Sequence, residues 1–372
     1  MIVAFPELLV SLTIQCTLLL CVTRFLVKRT RTSEAADDLW SFCHLMILLL
    51  SLAGVLLPHA RLFRGASLLS LCHKATALPV PQSLWMVLFW IWIAVAGTLA
   101  VNLLRSLIEI SLLLRSAQDL PRSAFAEDRG NGKARGNLAE ELQDLEVRVV
   151  TSESCTTPFC WQLHRPVIVL PECLSAFPAD ELRAIVRHEL AHLKARHPLR
   201  LFLQRLVEIG FWFHPLVWQT SRDAAMQREL SADCLANGTH AEAASFLRSL
   251  MRLSEPAFRR APVLPIGLNL ISGGASMIQQ RVEQLLAIDW TLPRRCDSVF
   301  LPGVTIRSIV CLLITGMLAT GIWIPLNSHA SGRTLFSPWP LPTATLLHEA
   351  GIEVRDYELD SHRIMEHRYD TD

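Results

Sequence analysis

The chain has 372 residues, of which 51% are hydrophobic and 19% charged, with a formal net charge of +1. Soluble domains are ~45–50% apolar and ~25% charged, so this chain is short of charge, and the deficit is concentrated in long uncharged blocks. Near-neutrality excludes a basic nucleic-acid surface and an acidic tail as organising features, and no direct nucleic-acid partner is expected.

The first block, Leu8 to Thr23, carries no charge, and Arg24 can snorkel to lengthen it. Leu39 to Ala60 and Ala75 to Leu104 are also uncharged, the latter containing Trp85-Met86-Val87-Leu88-Phe89-Trp90. A membrane-spanning helix needs ~20 such residues. Spans are therefore predicted over 7–27, 39–59 and 83–104, so that residues 1–115 form three transmembrane helices with their loops, in contact with a lipid bilayer. No positive charge precedes the first block and no small-residue cleavage site follows, so an anchor rather than a removed leader is expected.

Basic residues set the orientation. None precedes the first span, whereas Arg24, Lys28, Arg29 and Arg31 follow it. Arg61, Arg64 and Lys74 in the second loop count the other way, and Arg105, Arg115, Arg122, Arg129, Lys133 and Arg135 after the third span restore the pattern. The amino terminus is expected outside the cytoplasmic membrane and the large segment after the third span inside. Cysteine usage agrees: the chain has 10 cysteines but no Cys-x-x-Cys pair, so neither a disulfide framework nor a cysteine zinc site is suggested.

Residues 116–137 are polar, include Arg129-Gly130-Asn131-Gly132-Lys133, and read as a flexible linker. A cytoplasmic domain is expected over 138–298. Leu145 to Val150 alternates apolar and charged residues, a strand pattern. Val167, Ile168 and Val169 lie between Pro166 and Pro171, and proline cannot complete a ladder, so an edge strand is predicted. Such an edge could pair with an extended substrate, or be a plain protected edge.

The run Ala184-Ile185-Val186-Arg187-His188-Glu189-Leu190-Ala191-His192-Leu193 follows, opened by Asp180 and Glu181 where a helix dipole favours acidic groups. On a helix, His188 and His192 stand one turn apart on one face and can reach a single metal ion, with Glu189 beside them as a general base. The alternative is two histidines on a polar helix face. Leu199 to Thr220 is apolar but carries Arg200, Arg205 and Glu208, and is predicted as one helix packed on the zinc helix rather than a further span. A catalytic zinc keeps about three protein ligands and one open position. Glu229 and Asp233, four apart on the next helical pattern, fit as the third ligand and as an acceptor for a ligating histidine's distal nitrogen. His197 is a rival third ligand, rejected because it stands five residues after His192, where the all-histidine pattern needs six. A fourth span is predicted over 303–326 and a short external tail over 327–372, whose His348-Glu349 lacks a second histidine and reads as an ordinary solvated segment.

The order of motifs carries a resemblance: Thr157-Pro158-Phe159, Arg165 to Pro171, the zinc helix, His214-Pro215-Leu216-Val217-Trp218, Glu229-Leu230 with Asp233, then Gln280-Arg281-Val282-Glu283-Gln284-Leu285-Leu286. It resembles the membrane zinc metallopeptidases of the β-lactam-sensing Bla/Mec antirepressor type, over roughly Val147 to Ile324. The resemblance implies a multi-pass α-helical membrane protein with a cytoplasmic, mainly α glutamate-zincin domain and a small edge sheet. It departs at His197, where the family often has an acidic residue, and at Ser231-Ala232. The family's penicillin-binding module does not fit in the tail, and no Ser-x-x-Lys motif appears, so β-lactam sensing is not expected.

The expected reaction is hydrolysis of a peptide bond with one zinc ion held by His188, His192 and Glu229, and Glu189 taking a proton from water. A second donor for the developing oxyanion is usually wanted. The only tyrosines, Tyr357 and Tyr369, are in the tail, which leaves His214, His164 or an arginine. The resemblance implies a cytoplasmic regulator as substrate, such as a winged-helix repressor. A membrane-protein quality-control protease and a non-catalytic transducer with a vestigial zinc site are the alternatives.

Overall fold

The computed structural model describes residues 5–30, 32–59, 82–121, 125, 138–254, 275–288, 306–323, 336 and 339–355. Three long helices, α1 (Phe5–Val27), α2 (Ser33–Leu56) and α3 (Gln82–Ser116), come from the uncharged blocks, and all three are long and apolar enough to cross a membrane. Their Leu- and Ala-rich sequences favour helix, and Thr32 caps α2 by accepting from the Ala35 N–H. The fourth predicted span lies partly outside the described residues. Its described helix, Ile306–Thr320, has 15 residues, rising only ~22 Å against a hydrocarbon core of ~30 Å.

From α3 the chain passes directly into a four-stranded sheet of β1 (Gln118–Asp119), β2 (Arg148–Ser152), β3 (Phe159–Trp161) and β4 (Val167–Pro171), in the order β1-β2-β4-β3. Residues 118–119 thus belong to a strand and not to a linker, and Phe125 is fully buried. The glycine-rich part of the predicted linker lies outside the described residues. β2 starts at Arg148, three residues later than the alternation suggested, because the helix α4 (Leu138–Asp144) ends in a turn with Glu146 at φ 53°.

The edge-strand prediction for Val167, Ile168 and Val169 is overturned. β4 lies inside the sheet, parallel to β2 on one side and antiparallel to β3 on the other. Pro166 precedes the strand and contributes its carbonyl to the Arg148 N–H, while Pro171 is its last residue. Neither proline occupies an interior ladder position, so the N–H groups between them serve both neighbours. The edge next to the metal helix is β3.

Alternation along β4 divides the core. Ile168 and Leu170 pack with Val147, Val149, Ile185, Leu190 and Leu193 under helix α5 (Ala179–Lys194). Val167 and Val169 face the end of α3 at Leu113, with Val150 and Cys155. The sheet is therefore clamped between α5 and α3. The stretch predicted as one helix is two, α6 (His197–Gly210) and α7 (Pro215–Ala236), broken at Phe211 to His214 because Pro215 begins a new helix. Both pack on the membrane-length helices: Cys16, Leu19 and Leu20 of α1 and Trp40, Cys43 and Ile47 of α2 share a core with Val207, Phe211, Val217 and Ala224. Helices α8 (His240–Ser254) and α9 (Ala275–Ala287) cover the opposite side.

Candidate metal centre

Helix α5 buries the face bearing His188, Glu189 and His192, all 6% exposed or less. Its first-turn acids fasten it to α8: Asp180 accepts from Arg248 at 3.0 Å, and Glu181 pairs with Arg252 at 3.0 Å. Helix α7 crosses α5 and carries Glu229 and Asp233, one turn apart on its buried face. The α7 helix ends just beyond them, where Asn237 donates from its side chain to the Asp233 carbonyl.

His188 Nε2 and His192 Nε2 are 3.1 Å apart, and each lies 3.7 Å from a different oxygen of Glu229. Three donors at ~2.05 Å around a tetrahedral zinc are separated by ~3.3 Å, so the triangle needs only small adjustments to close on an ion. Among the described residues this is the group of three whose donor atoms all lie within 4.8 Å of one another. The outer nitrogens also face partners: His188 Nδ1 is 3.1 Å from Asp233 Oδ1, an ion-pair contact, and His192 Nδ1 is 2.7 Å from His197 Nδ1. Protons on the two Nδ1 atoms leave both Nε2 lone pairs facing the same point. The donor set fits a dication.

Glu189 sits beside this point against Cys160 of β3, with Oε2 buried and lacking a hydrogen-bond partner. Burial pushes its carboxyl up to about 7, with the Glu229 charge adding to the rise and His188 opposing it. Burial also works against ionising Glu229, but the Arg281 guanidinium and the two histidines hold it well below the usual carboxylate range. His188, despite burial, is raised to about 9 by its contacts with Asp233 and Glu229. A small cleft of about 30 Å³ opens over the group, lined by Pro158, Ile185, Phe246, Leu250 and Leu253.

Arg281 of α9 is the participant that sequence reasoning left without a role. Its Nε and Nη2 donate to the two oxygens of Asp233 at 2.8 and 2.7 Å, and Nη1 lies 3.0 Å from Glu229 Oε2. A fork of this kind locks both carboxylates in place. Its signal was faint: Arg281 precedes the buried Leu285 by four residues, which puts the charge on the inward face of α9.

Two oxyanion candidates are corrected. His214 caps the far end of α7, 15 residues before Glu229 and so ~22 Å along the helix axis, where its Nε2 meets Thr17 of α1 at 2.9 Å. His164 is exposed in the turn after β3, outside the cleft. Neither reaches the metal centre.

The family model described as BlaR1 peptidase M56 matches residues 7–285, which takes in α1 to α3, the sheet, α5, α7 and Arg281. The chain belongs to the BlaR1 peptidase M56 family. It is also similar to the Regulatory protein BlaR1 of Bacillus licheniformis, 36% identical over 96 residues, or 25% of this chain and 16% of that protein. The chain thus matches a small part of that longer relative. M56 peptidases are metal-dependent, and the three long apolar helices agree with membrane association.

Proposed function

We propose that this M56 protein is an integral-membrane zinc endopeptidase that cuts a cytoplasmic regulatory protein in response to a signal. The observation that carries the reading is the convergence of His188 Nε2, His192 Nε2 and the Glu229 carboxylate at 3.1 and 3.7 Å, with a base beside them. Zinc in a site with three protein ligands supplies Lewis acidity and brings the pKa of a water toward ~7. Glu189, itself near that value, takes a proton at Oε2 and returns it to the leaving amine. Asp233 and Arg281 fix the orientation of His188 and Glu229. Burial of all of them excludes bulk water, which strengthens each electrostatic contact.

The substrate strand is assigned to the open side of β3 (Phe159–Trp161), the edge nearest Glu189. A groove beside it, lined by Leu103, Leu107 and Ile110 of α3 and reaching His192, suits an apolar extended segment. Zinc as the ion, a repressor-like protein as the substrate, and a protease domain on the cytoplasmic side are parts of the proposal. The last is supported by the basic end of α1, whose last-turn Arg24 lies 3.7 Å from Asp223 of α7. That contact puts the basic end of α1 on the same side as the domain. Direct packing of α1 and α2 on the helix that carries Glu229 supports control of the site from the membrane.

Substrate trapping tests this. Membranes containing the Glu189→Gln protein should retain one or a few soluble regulators, identified by mass spectrometry, that the wild type cleaves. Broad accumulation of membrane proteins would instead favour a quality-control protease, and cleavage undiminished by the substitution would remove Glu189 from its role.

A further inference from the structure

The two histidines facing the metal position differ in how their outer nitrogens are held. His188 Nδ1 meets a carboxylate directly, that of Asp233 on the neighbouring helix. Among the described residues, His192 Nδ1 meets no carboxylate. It lies 2.7 Å from Nδ1 of His197, whose Nε2 is 3.2 Å from Oδ2 of Asp37. Asp37 stands near the start of α2, one of the membrane-length helices, and is 160 residues away from its histidine partner in sequence. Asp37, His197 and His192 are each 1% exposed or less.

The order of groups fixes the direction of the protons. An ionised Asp37 accepts from His197 Nε2–H. His197 Nδ1 is then a bare acceptor, so His192 must carry its proton on Nδ1 and present an unprotonated Nε2 to the ion. This is the tautomer that a ligating histidine requires. The 3.2 Å contact to Oδ2 is close but not aligned as a hydrogen bond, and His197 Nε2 and Asp37 Oδ1 are both buried without a hydrogen-bond partner among the described residues, so a small carboxyl rotation lets Asp37 accept from Nε2–H. The corner that brings His197 beneath His192 is left-handed at Arg196, φ 56°, a conformation that non-glycine residues rarely adopt. Arg200, one turn further along α6, donates to the same Asp37 Oδ2 and reaches Asp38 at 2.7 Å.

We propose that Asp37 of α2 is a positioning residue for the metal centre, acting in series through His197 to hold His192 in its ligating tautomer and orientation. The second membrane helix therefore contributes to the site, and a displacement of α2 away from α6 loosens one metal ligand. This rests on the reading of His188, His192 and Glu229 as metal ligands.

Zinc affinity of the full chain in detergent, measured by competition with a chromogenic chelator, tests it. Partners that orient ligands contribute ~10–100-fold to metal affinity, so Asp37→Leu and His197→Leu, which remove the acceptor and the relay, should each weaken binding by at least about tenfold. His197→Gln, whose amide still accepts on one side and donates on the other, should stay within about threefold of wild type, as should Arg200→Gln, which removes the ion pair but leaves the relay. The double variant Asp37→Leu, His197→Leu should bind no worse than His197→Leu alone, because groups in series are not additive. Additive losses, or equal losses in Asp37→Leu and Arg200→Gln, would overturn the relay in favour of simple helix packing. Unchanged affinity in Asp37→Leu beside a zinc-binding wild type would overturn it while leaving the hydrolase reading intact. A wild type that binds no zinc would overturn both.

Discussion

Replacing Arg281 with leucine removes the cation that separates two buried carboxylates. Three charge-assisted contacts go with it, at 2.7 and 2.8 Å to Asp233 and 3.0 Å to Glu229, and both acids are 4% exposed or less. Breaking a buried pair by removing one partner costs ~3–5 kcal/mol. At ~2–4 °C per kcal/mol for a domain of this size, the metal-free variant should melt roughly 6–20 °C lower. The loss should be smaller with metal present, since a dication between Glu229 and the histidines replaces the missing positive charge. By linkage, the folded variant then binds zinc more tightly than wild type, and the rise in melting temperature on adding zinc is larger. Differential scanning fluorimetry in detergent, with chelator or with zinc, reads both quantities. Equal destabilisation in the two conditions, or a smaller zinc-induced rise in the variant, would refute the placement of Arg281 as a counter-charge at the metal position.

Glu189→Gln should keep its metal and lose ~10²–10⁴-fold in peptide hydrolysis, checked by metal analysis beside a cleavage assay. The pH profile follows from the same residue. A base works deprotonated, so kcat/KM should fall about tenfold per pH unit on the acid side. Burial sets the midpoint at about 7 without metal, and a nearby dication can only move it lower. A midpoint clearly above this value would contradict Glu189 as the base. Ile168→Ala, in the middle of the sheet against α5, should cost ~2–5 kcal/mol in chemical denaturation, with an unchanged stability arguing against the β2–β4–β3 order.

The sequence signals that carried furthest were those with a strong period or a long run. The uncharged blocks lie in α1, α2 and α3, although α2 starts six residues before its predicted span and α3 runs 12 residues beyond its own, and the four-residue spacing of His188 with His192 and of Glu229 with Asp233 placed them on inward helix faces. What misled was local punctuation read without its position. Pro166 lies just before β4 and Pro171 ends it, so the strand lies inside the sheet, while the edges, Gln118–Asp119 and Phe159–Trp161, are too short to show a period. Pro215 marked a helix start that splits the apolar stretch before it and carries His214 away from the site. Long-range partners left almost no trace. Nothing local to Asp37 announces a histidine 160 residues on, and Arg281 betrays itself only by its spacing from Leu285.

The account depends most directly on a divalent ion shared by the imidazoles of α5 and the carboxylate of α7. Metal content of the purified full chain, compared between wild type and Glu229→Gln, measures this. The account predicts one equivalent of zinc in the wild type and little in the variant, at matched folding by circular dichroism. Equal metal in the two proteins, or none in a folded wild type, would contradict it.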